Sequence, residues 1–406
     1  MRTKERALRI AYLSGPVDAV DAHRKWLSHT MPEYFGDSHV TQFFDLCERN
    51  RFIGYIITTL PGPRIHYTYE NVTIENYSDQ RSWRGPLFHL YGYLWLMRRI
   101  PELLRFRPDV VLVTAGGAYA IVLWFFKLLK IRMIPIFTGT IWRKHRPPRS
   151  YHQFLLFLQK LYFRWFVDAG VFASEDAANQ ARLLVGGRNR TPLFTFLPLY
   201  KREQFSSVPL PVARTPMRAL FAGRIEADKG VFDLIAVARQ VEREAPGKVQ
   251  FDICGDGSQL GELRRCIEVS RLSKIIQCHG FCGREQLAGF LAASSFVIVP
   301  TRTELEEGFN MVCAEAILAG RPLITSDVCP ALHYVRDAAI EVQPDSPEDY
   351  ASAVLKFVRD RDLYLAKREA CKSLQAQFYE PGNSWGKKVG DAIHAVLASC
   401  ATKASI

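Results

Sequence analysis

The sequence predicts an α/β protein made of two doubly wound domains in tandem. Three observations lead there. The chain has 406 residues, about twice what a single hydrophobic core of typical size organises. Short apolar runs rich in β-branched residues alternate along it with stretches of helical periodicity, the pattern of right-handed βαβ units and parallel sheets. Between Leu197 and Met217, Pro198, Pro209, Pro211 and Pro216 interrupt both patterns, which marks a seam between domains.

In the first half, Leu8–Ser14, Ile53–Leu60, Val110–Thr114, Arg132–Phe137 and Ala169–Ala173 read as strands. In the second half, Arg218–Phe221, Val249–Cys254, Ile275–Gly280, Phe296–Pro300 and Pro322–Ser326 repeat the theme, with Val231–Arg243 and Gln259–Arg271 as helices between them. A last helix is expected over Trp385–Leu397, after Pro381-Gly382. The longest uncharged run, Val110–Phe126, is shorter than the roughly 20 residues of a membrane-spanning helix. It reads as a buried strand, a turn at Gly116-Gly117 and the start of an apolar helix. The division expected is 1–205, 206–380 and a closing helical segment 381–406 that packs back on the first domain. Both domains are Rossmann-like and face a central cleft, where such sheets bind ligands at the carboxyl ends of their strands.

Hydrophobic content of 48% and charged content of 23% are those of an ordinary globular protein. The formal net charge of +12 is unevenly spread: residues 1–200 carry 27 Lys+Arg against 15 Asp+Glu, whereas residues 201–406 carry 26 of each. This predicts that the first half alone faces something anionic, such as a phospholipid surface or a lipid pyrophosphate; the alternative is that its scattered cations only keep it soluble. Nucleic acid is not expected, because no nucleic-acid module is recognisable. The charged N-terminus has no apolar segment after it before Gly15-Pro16, so it does not read as a secretory signal. Nine cysteines occur without a CxxC pair, and Cys278 and Cys282 have no histidine pair at zinc-like spacing. They read as reduced thiols of a cytoplasmic protein.

The chemistry concentrates in the second half. Gly223-Arg224 follows a strand and Lys229-Gly230 opens a helix, a junction where free backbone N–H groups and the helix dipole attract anions. Two side-chain cations there suit a pyrophosphate that leaves with its charge. Gly255-Asp256-Gly257 is a tight strand-to-helix turn, and Gly280-Phe281-Cys282 ends the next strand, where its backbone can touch a base. Glu307-Gly308-Phe309-Asn310 forms a loop ahead of the apolar helix Ala314–Leu318, which holds Glu315. Carboxylates grip vicinal hydroxyls with paired hydrogen bonds, so Glu307 and Glu315 suit a hexose and a ribose side by side, with Asn310 as a further hydroxyl partner.

These ordered motifs, G-R-x4-K-G, G-D-G, E-G-F…E-A and A-G-x-P, fall at Gly223–Gly230, Gly255–Gly257, Glu307–Ala316 and Ala319–Pro322. Over roughly residues 217–345 the chain resembles the donor domain of retaining glycosyltransferases of family 4 (glycosyl transferases group 1), which have the GT-B fold. In the first half the likeness is confined to strand order and the Ser14-Gly15-Pro16 loop. The resemblance implies an acceptor-binding first domain and a donor-binding second domain. It implies Arg224 and Lys229 on the donor diphosphate, Glu307 on the donor sugar and Glu315 on the ribose. Gly15, Gly223, Gly255, Phe281, Cys282, Gly308, Phe309 and Asn310 would complete the donor site. No cofactor beyond the nucleoside-diphosphate-sugar is expected, and no metal, since the cations replace it. Asp360-Arg361-Asp362 spells a D-x-D but reads as a helix junction.

The sequence departs from the family in two places. Members often carry a histidine where this chain reads Phe137-Thr138-Gly139-Thr140, with His145 a distant substitute. Ser326–Val335 has Cys329-Pro330 and His333 where many members have Gly-Gly and Glu.

Arg143-Lys144-His145-Arg146-Pro-Pro-Arg149 is followed by Phe154–Leu158, Lys160, Tyr162-Phe163-Arg164 and Trp165-Phe166. Basic and aromatic residues mixed on one helix suit an anionic membrane surface; the alternative is a helix that faces the core. Leu87–Met97, ending in Arg98-Arg99, carries the same ambiguity. The function expected is transfer of a sugar to a lipid-linked or polysaccharide acceptor in cell-surface polysaccharide or lipopolysaccharide assembly, by a cytoplasmic protein peripheral on the inner face of the membrane. The alternatives are a nucleotide-sugar epimerase of the same fold and a non-catalytic partner subunit. The latter is expected to have lost Arg224, Lys229 or Glu315.

Overall fold

Apolar strand segments pair into two sheets whose carboxyl edges border a shared cleft. The structure is a computed structural model that describes residues 6–30, 35–78, 86–114, 117–146, 148, 150–186, 191–206, 208–209 and 215–404. Residues 1–5 and 405–406, Gly116 of the expected turn, Pro211 of the seam, and Pro147 and Arg149 of the basic run lie outside the described residues.

The first sheet contains β1 (Arg9–Leu13), β2 (Ile53–Thr58), β3 (Ile65–Tyr69), β4 (Val72–Asn76), β5 (Val110–Val113), β6 (Arg132–Phe137), β7 (Gly170–Phe172) and β8 (Leu193–Thr195). Their spatial order is β3-β4-β2-β1-β5-β6-β7-β8. All neighbours run parallel except the hairpin β3–β4. The second sheet contains β9 (Met217–Ala222), β10 (Val249–Cys254), β11 (Ile276–Gly280), β12 (Phe296–Val299), β13 (Leu323–Ser326) and β14 (Ala339–Val342). It is wholly parallel, in the order β11-β10-β9-β12-β13-β14. Central strands such as Val110–Val113 and Phe296–Val299 are buried throughout, because helices cover both faces of a parallel sheet.

Every strand read from the sequence is present. Four were not anticipated: β3, β4, β8 and β14. β3 is a half-exposed edge strand of sequence IHYTY, β4 ends in polar Glu75-Asn76, and β8 has three residues. β14 is only partly buried. None offers the continuous apolar run that marks the central strands.

The helix Trp385–Ala404 packs on the first domain, although it closes the chain. Trp385, Val389, Ala392, Ile393 and Val396 share a buried cluster with Ile10, Tyr12, Phe43 and Leu112. The helix crosses His39–Asn50 closely, because Gly386 and Gly390 face it. A Cβ on Gly386 would stand 3.3 Å from Gln42, and the Gly386 N–H donates to Gln42 Oε1 at 2.8 Å.

The two domains also meet across the cleft. Arg146 donates to Thr303 Oγ1 at 3.0 Å and to Glu304 at 2.6 Å. Lys144 and His145 both engage Asp327, at 3.0 and 2.8 Å, and Arg143 approaches Glu306 at 3.9 Å. The basic residues 143–146 therefore face carboxylates of the second domain rather than a lipid surface. Local sequence shows that a run is basic but not which acidic surface folds up against it.

Candidate active site

The C-terminal ends of β9, β10 and β11 deliver three loops to one place. Gly223-Arg224 leaves β9, Gly255-Asp256 leaves β10 and Phe281-Cys282 leaves β11; all line a cavity of about 660 Å³ between the domains. The first two loops are tied together: the Ile225 N–H donates to Asp256 O at 2.8 Å, and Glu226 accepts from the Ser258 N–H and hydroxyl at 2.9 and 2.8 Å. Their approach is so close that a Cβ on Gly255, which has φ +150°, would lie 1.8 Å from Gly223 O. Only glycine fits there.

Opposite them stands the segment 307–315. Asn310 adopts a left-handed conformation, φ 70°, and precedes the helix Met311–Leu318 as its N-cap. Met311 and Val312, the first residues of that helix, line the cavity, so its free N–H groups favour an anion there. Gly308 lies against the first domain: a Cβ on it would stand 1.9 Å from Thr138 O, and the neighbouring Thr140 N–H donates to Glu307 O at 3.1 Å. The same loop thus contacts both domains.

Lys229 Nζ and Glu307 Oε2 are 2.5 Å apart, in side chains 14% and 10% exposed. Glu307 also accepts from its neighbour Gly308 N–H at 3.1 Å and from Asn310 Nδ2 at 3.2 Å. The cation and carboxylate assigned by sequence to different parts of a donor thus hold each other. Arg224 is exposed at the same cavity.

Glu315 sits within the helix Met311–Leu318, 8% exposed, one turn further in than the sequence places it. Burial pushes its carboxyl up to about 7, partly offset by a bond from the Tyr200 hydroxyl. Near neutrality it therefore exchanges between an acceptor-only carboxylate and an acid that also donates. Phe309 is buried against Tyr334 and Phe378 and lines the cavity with its neighbours.

The cavity thus gathers Arg224, Lys229, Glu307, Gly223, Gly255, Phe281, Cys282, Gly308, Phe309, Asn310 and Glu315. Gly15 is not among its lining residues. It follows β1, and its carbonyl accepts from the Thr59 N–H at 3.3 Å.

The first domain contributes residues that the sequence did not reveal: Asp37, His39, Gln42 and, from the closing helix, Trp385. His39 stacks on Trp385, with centroids 5.5 Å apart and planes 19° apart. Burial lowers its pKa to about 4, so it is a neutral imidazole at physiological pH. The one local signal was Ser38-His39 at a helix start, where Ser38 accepts from the Thr41 N–H. His145 lies elsewhere, paired with Asp327. Asp360 closes one helix and caps the next by accepting from the Leu363 N–H at 2.8 Å, so the D-x-D is a helix junction.

Two domains with parallel sheets, a cleft at their carboxyl edges and a closing helix that returns to the first domain make this a GT-B fold. Residues 203–374 match the family model described as "Glycosyl transferases group 1". An uncharacterized glycosyltransferase of Methanocaldococcus jannaschii is 26% identical over 172 residues, which is 42% of this chain and 45% of that protein. The match thus spans less than half the length of that curated relative. Sucrose-phosphate synthase of Thermosynechococcus elongatus superposes with a TM-score of 0.69 at 16% identity, covering 97% of this chain and 100% of that one. HepE of Anabaena, in complex with UDP and glucose, superposes with a TM-score of 0.63 at 14% identity, covering 98% and 100%.

Proposed function

We propose that the protein is a glycosyltransferase that moves a sugar, with retention, from a nucleoside-diphosphate-sugar to a hydroxyl of a lipid-linked or saccharide acceptor. One observation carries the reading: Arg224 and Lys229 share with Glu307 and Glu315 a single interdomain cavity of about 660 Å³, the size of a small-molecule site. The matched family model, and the UDP and glucose held by HepE, support the same reading.

The residues divide the work. Arg224, Lys229 and the first N–H groups of Met311–Leu318 take the diphosphate and stabilise the charge that develops as it leaves. Glu315 holds the ribose, Phe281 and Cys282 border the base, and Glu307 with Asn310 holds hydroxyls of the transferred sugar. The bond from the sugar's anomeric carbon to the diphosphate oxygen breaks. The acceptor oxygen bonds that carbon on the same face, and its proton passes to the departing diphosphate. Neutral His39 enters from the first domain and can accept a hydrogen bond from a sugar or acceptor hydroxyl. The two side-chain cations do the work of a divalent ion, so turnover is expected to persist in a chelator.

Eight described cysteines are free, which supports a reducing, cytoplasmic setting. Among the described residues no helix is long and apolar enough to cross a membrane. The basic first half supports a role in cell-surface polysaccharide or lipopolysaccharide assembly. The reading is tested by release of nucleoside diphosphate from a panel of UDP-, GDP- and ADP-sugars with a detergent-solubilised lipid extract. Release from one donor, lost in Lys229→Ala and Glu307→Ala, supports it. Silence across the panel, with no nucleotide binding by calorimetry, overturns it.

A further inference from the structure

The first domain carries an apolar face that neither the cleft nor the second domain uses. On the helix Pro86–Met97, the residues Leu87, Leu90, Leu94 and Met97 are exposed. Their spacing puts them on a single stripe, and it points outward where a soluble helix places charge. On the helix Ser150–Trp165, Phe154, Phe157 and Trp165 form a second stripe, each more than half exposed. Between these helices runs the 3-10 helix Gly117–Lys127, followed by a turn; here Trp124, Leu128 and Leu129 are exposed, Leu128 at 74%.

The three segments form one surface. Both helices pack on the 3-10 helix. His89 on the first bonds Tyr119 at 3.0 Å and meets the ring of Tyr151 on the second at 5.8 Å between centroids. Single exposed apolar residues need no explanation, but a contiguous patch of this kind marks an interaction site.

Charge identifies the occupant. From Val110 to Val167 the chain has no Asp or Glu and nine Lys or Arg, and residues 86–101 also lack an acid. Some of these cations face protein: Arg143, Lys144 and Arg146 meet the second domain, and Lys127 and Arg132 meet Asp168. Arg98, Lys130, Lys160 and Arg164 are exposed beside the apolar residues, and Arg164 lies over the Trp165 ring at 5.4 Å. Rings and aliphatic tips flanked by cations match a layer of anionic headgroups over acyl chains.

We propose that this face seats the protein on an anionic lipid bilayer. The helix Ser150–Trp165 starts four residues after Arg146, which grips Thr303 across the cleft. The lipid-facing helix thus follows in the chain the segment that meets the second domain. Resting on the transferase reading, this assigns the acceptor to the lipid phase.

The deciding experiment is co-sedimentation of the full chain with vesicles of phosphatidylglycerol and phosphatidylcholine in equal parts, and of phosphatidylcholine alone. Pelleting with the anionic vesicles, weakened by salt and by omission of phosphatidylglycerol, is expected. Leu90→Glu and Phe157→Glu should each lower the partition coefficient about tenfold. The charge reversal Lys160→Glu/Arg164→Glu, at exposed positions that leave folding intact, should do so as well. Nucleotide binding by calorimetry should be unchanged in all of them. Failure of the wild type to pellet with anionic vesicles at low salt overturns the proposal. So does a stable dimer in light scattering that Leu90→Glu dissociates, since the face would then cover a second copy. If the wild type pellets with vesicles yet binds no nucleotide, the transferase reading fails and the docking stands.

Discussion

Replacing Glu315 by Gln removes a buried proton-binding group while keeping its shape. Burial raises the Glu315 carboxyl to about 7 from its ordinary value of 4.5. Between those values the folded state holds a proton that the unfolded chain has released. By linkage, the group's stability contribution is full below the unfolded value and is lost as pH rises through the folded one. Between about pH 5 and pH 8 the loss is on the order of 2–3 kcal/mol, at about 1.4 kcal/mol per unit. The amide variant does not titrate, so its stability should be flatter by that amount. Equilibrium denaturation of the nucleotide-free protein at the two pH values measures the double difference. It cancels any constant cost of fitting the amide against Tyr200. If wild type and variant lose equal stability between the two values, Glu315 is not a buried acid and the reasoning fails. Nucleotide affinity is expected to fall in the variant, because the amide grips a ribose diol less strongly than a carboxylate.

Three further outcomes are expected. Lys229→Ala should lower turnover by roughly 10²–10³-fold, the usual loss for one preorganised charge-stabilising donor. It should also destabilise the fold, because Glu307 is left buried without its cation; Lys229→Met/Glu307→Gln should recover stability in denaturation without recovering turnover. Gly308→Ala should lower turnover by about 10²-fold with nucleotide binding largely kept, since its Cβ would collide with Thr138 O and displace the loop that touches both domains. Trp385→Ala, which empties a fully buried site, should cost about 3–5 kcal/mol in unfolding free energy and leave His39 without its stacking partner. Unchanged stability there would show that the closing helix does not hold the first domain.

The loops that the second domain brings to the cavity were legible because their signals are local. Gly223-Arg224, Gly255, the segment 307–310 and Glu315 each occupy a strand end, a turn or the first turns of a helix, and such positions leave marks in neighbouring residues. Three readings were incomplete where distant residues decide. Gly15 has the look of a ligand loop, yet other segments, including Asp37 and His39, reach the cavity from the first domain. The run 143–146 has the look of a membrane patch, yet Glu304, Glu306 and Asp327 of the other domain face it. Lys229 and Glu307 suit separate duties, and they form one ion pair.

By itself the sequence determined two doubly wound sheets in tandem and a cation-and-carboxylate set in the loops of the second. Periodicity and turn chemistry are written in residues a few positions apart, so one chain suffices to read them. Only the tertiary structure decided that His39 and Trp385, 346 residues apart in number, stack at one cavity wall. It alone decided which cations face protein and which lie exposed beside apolar stripes. Such pairings are set by how the sheets and helices pack, and no local pattern encodes the partner on the far side of a cleft.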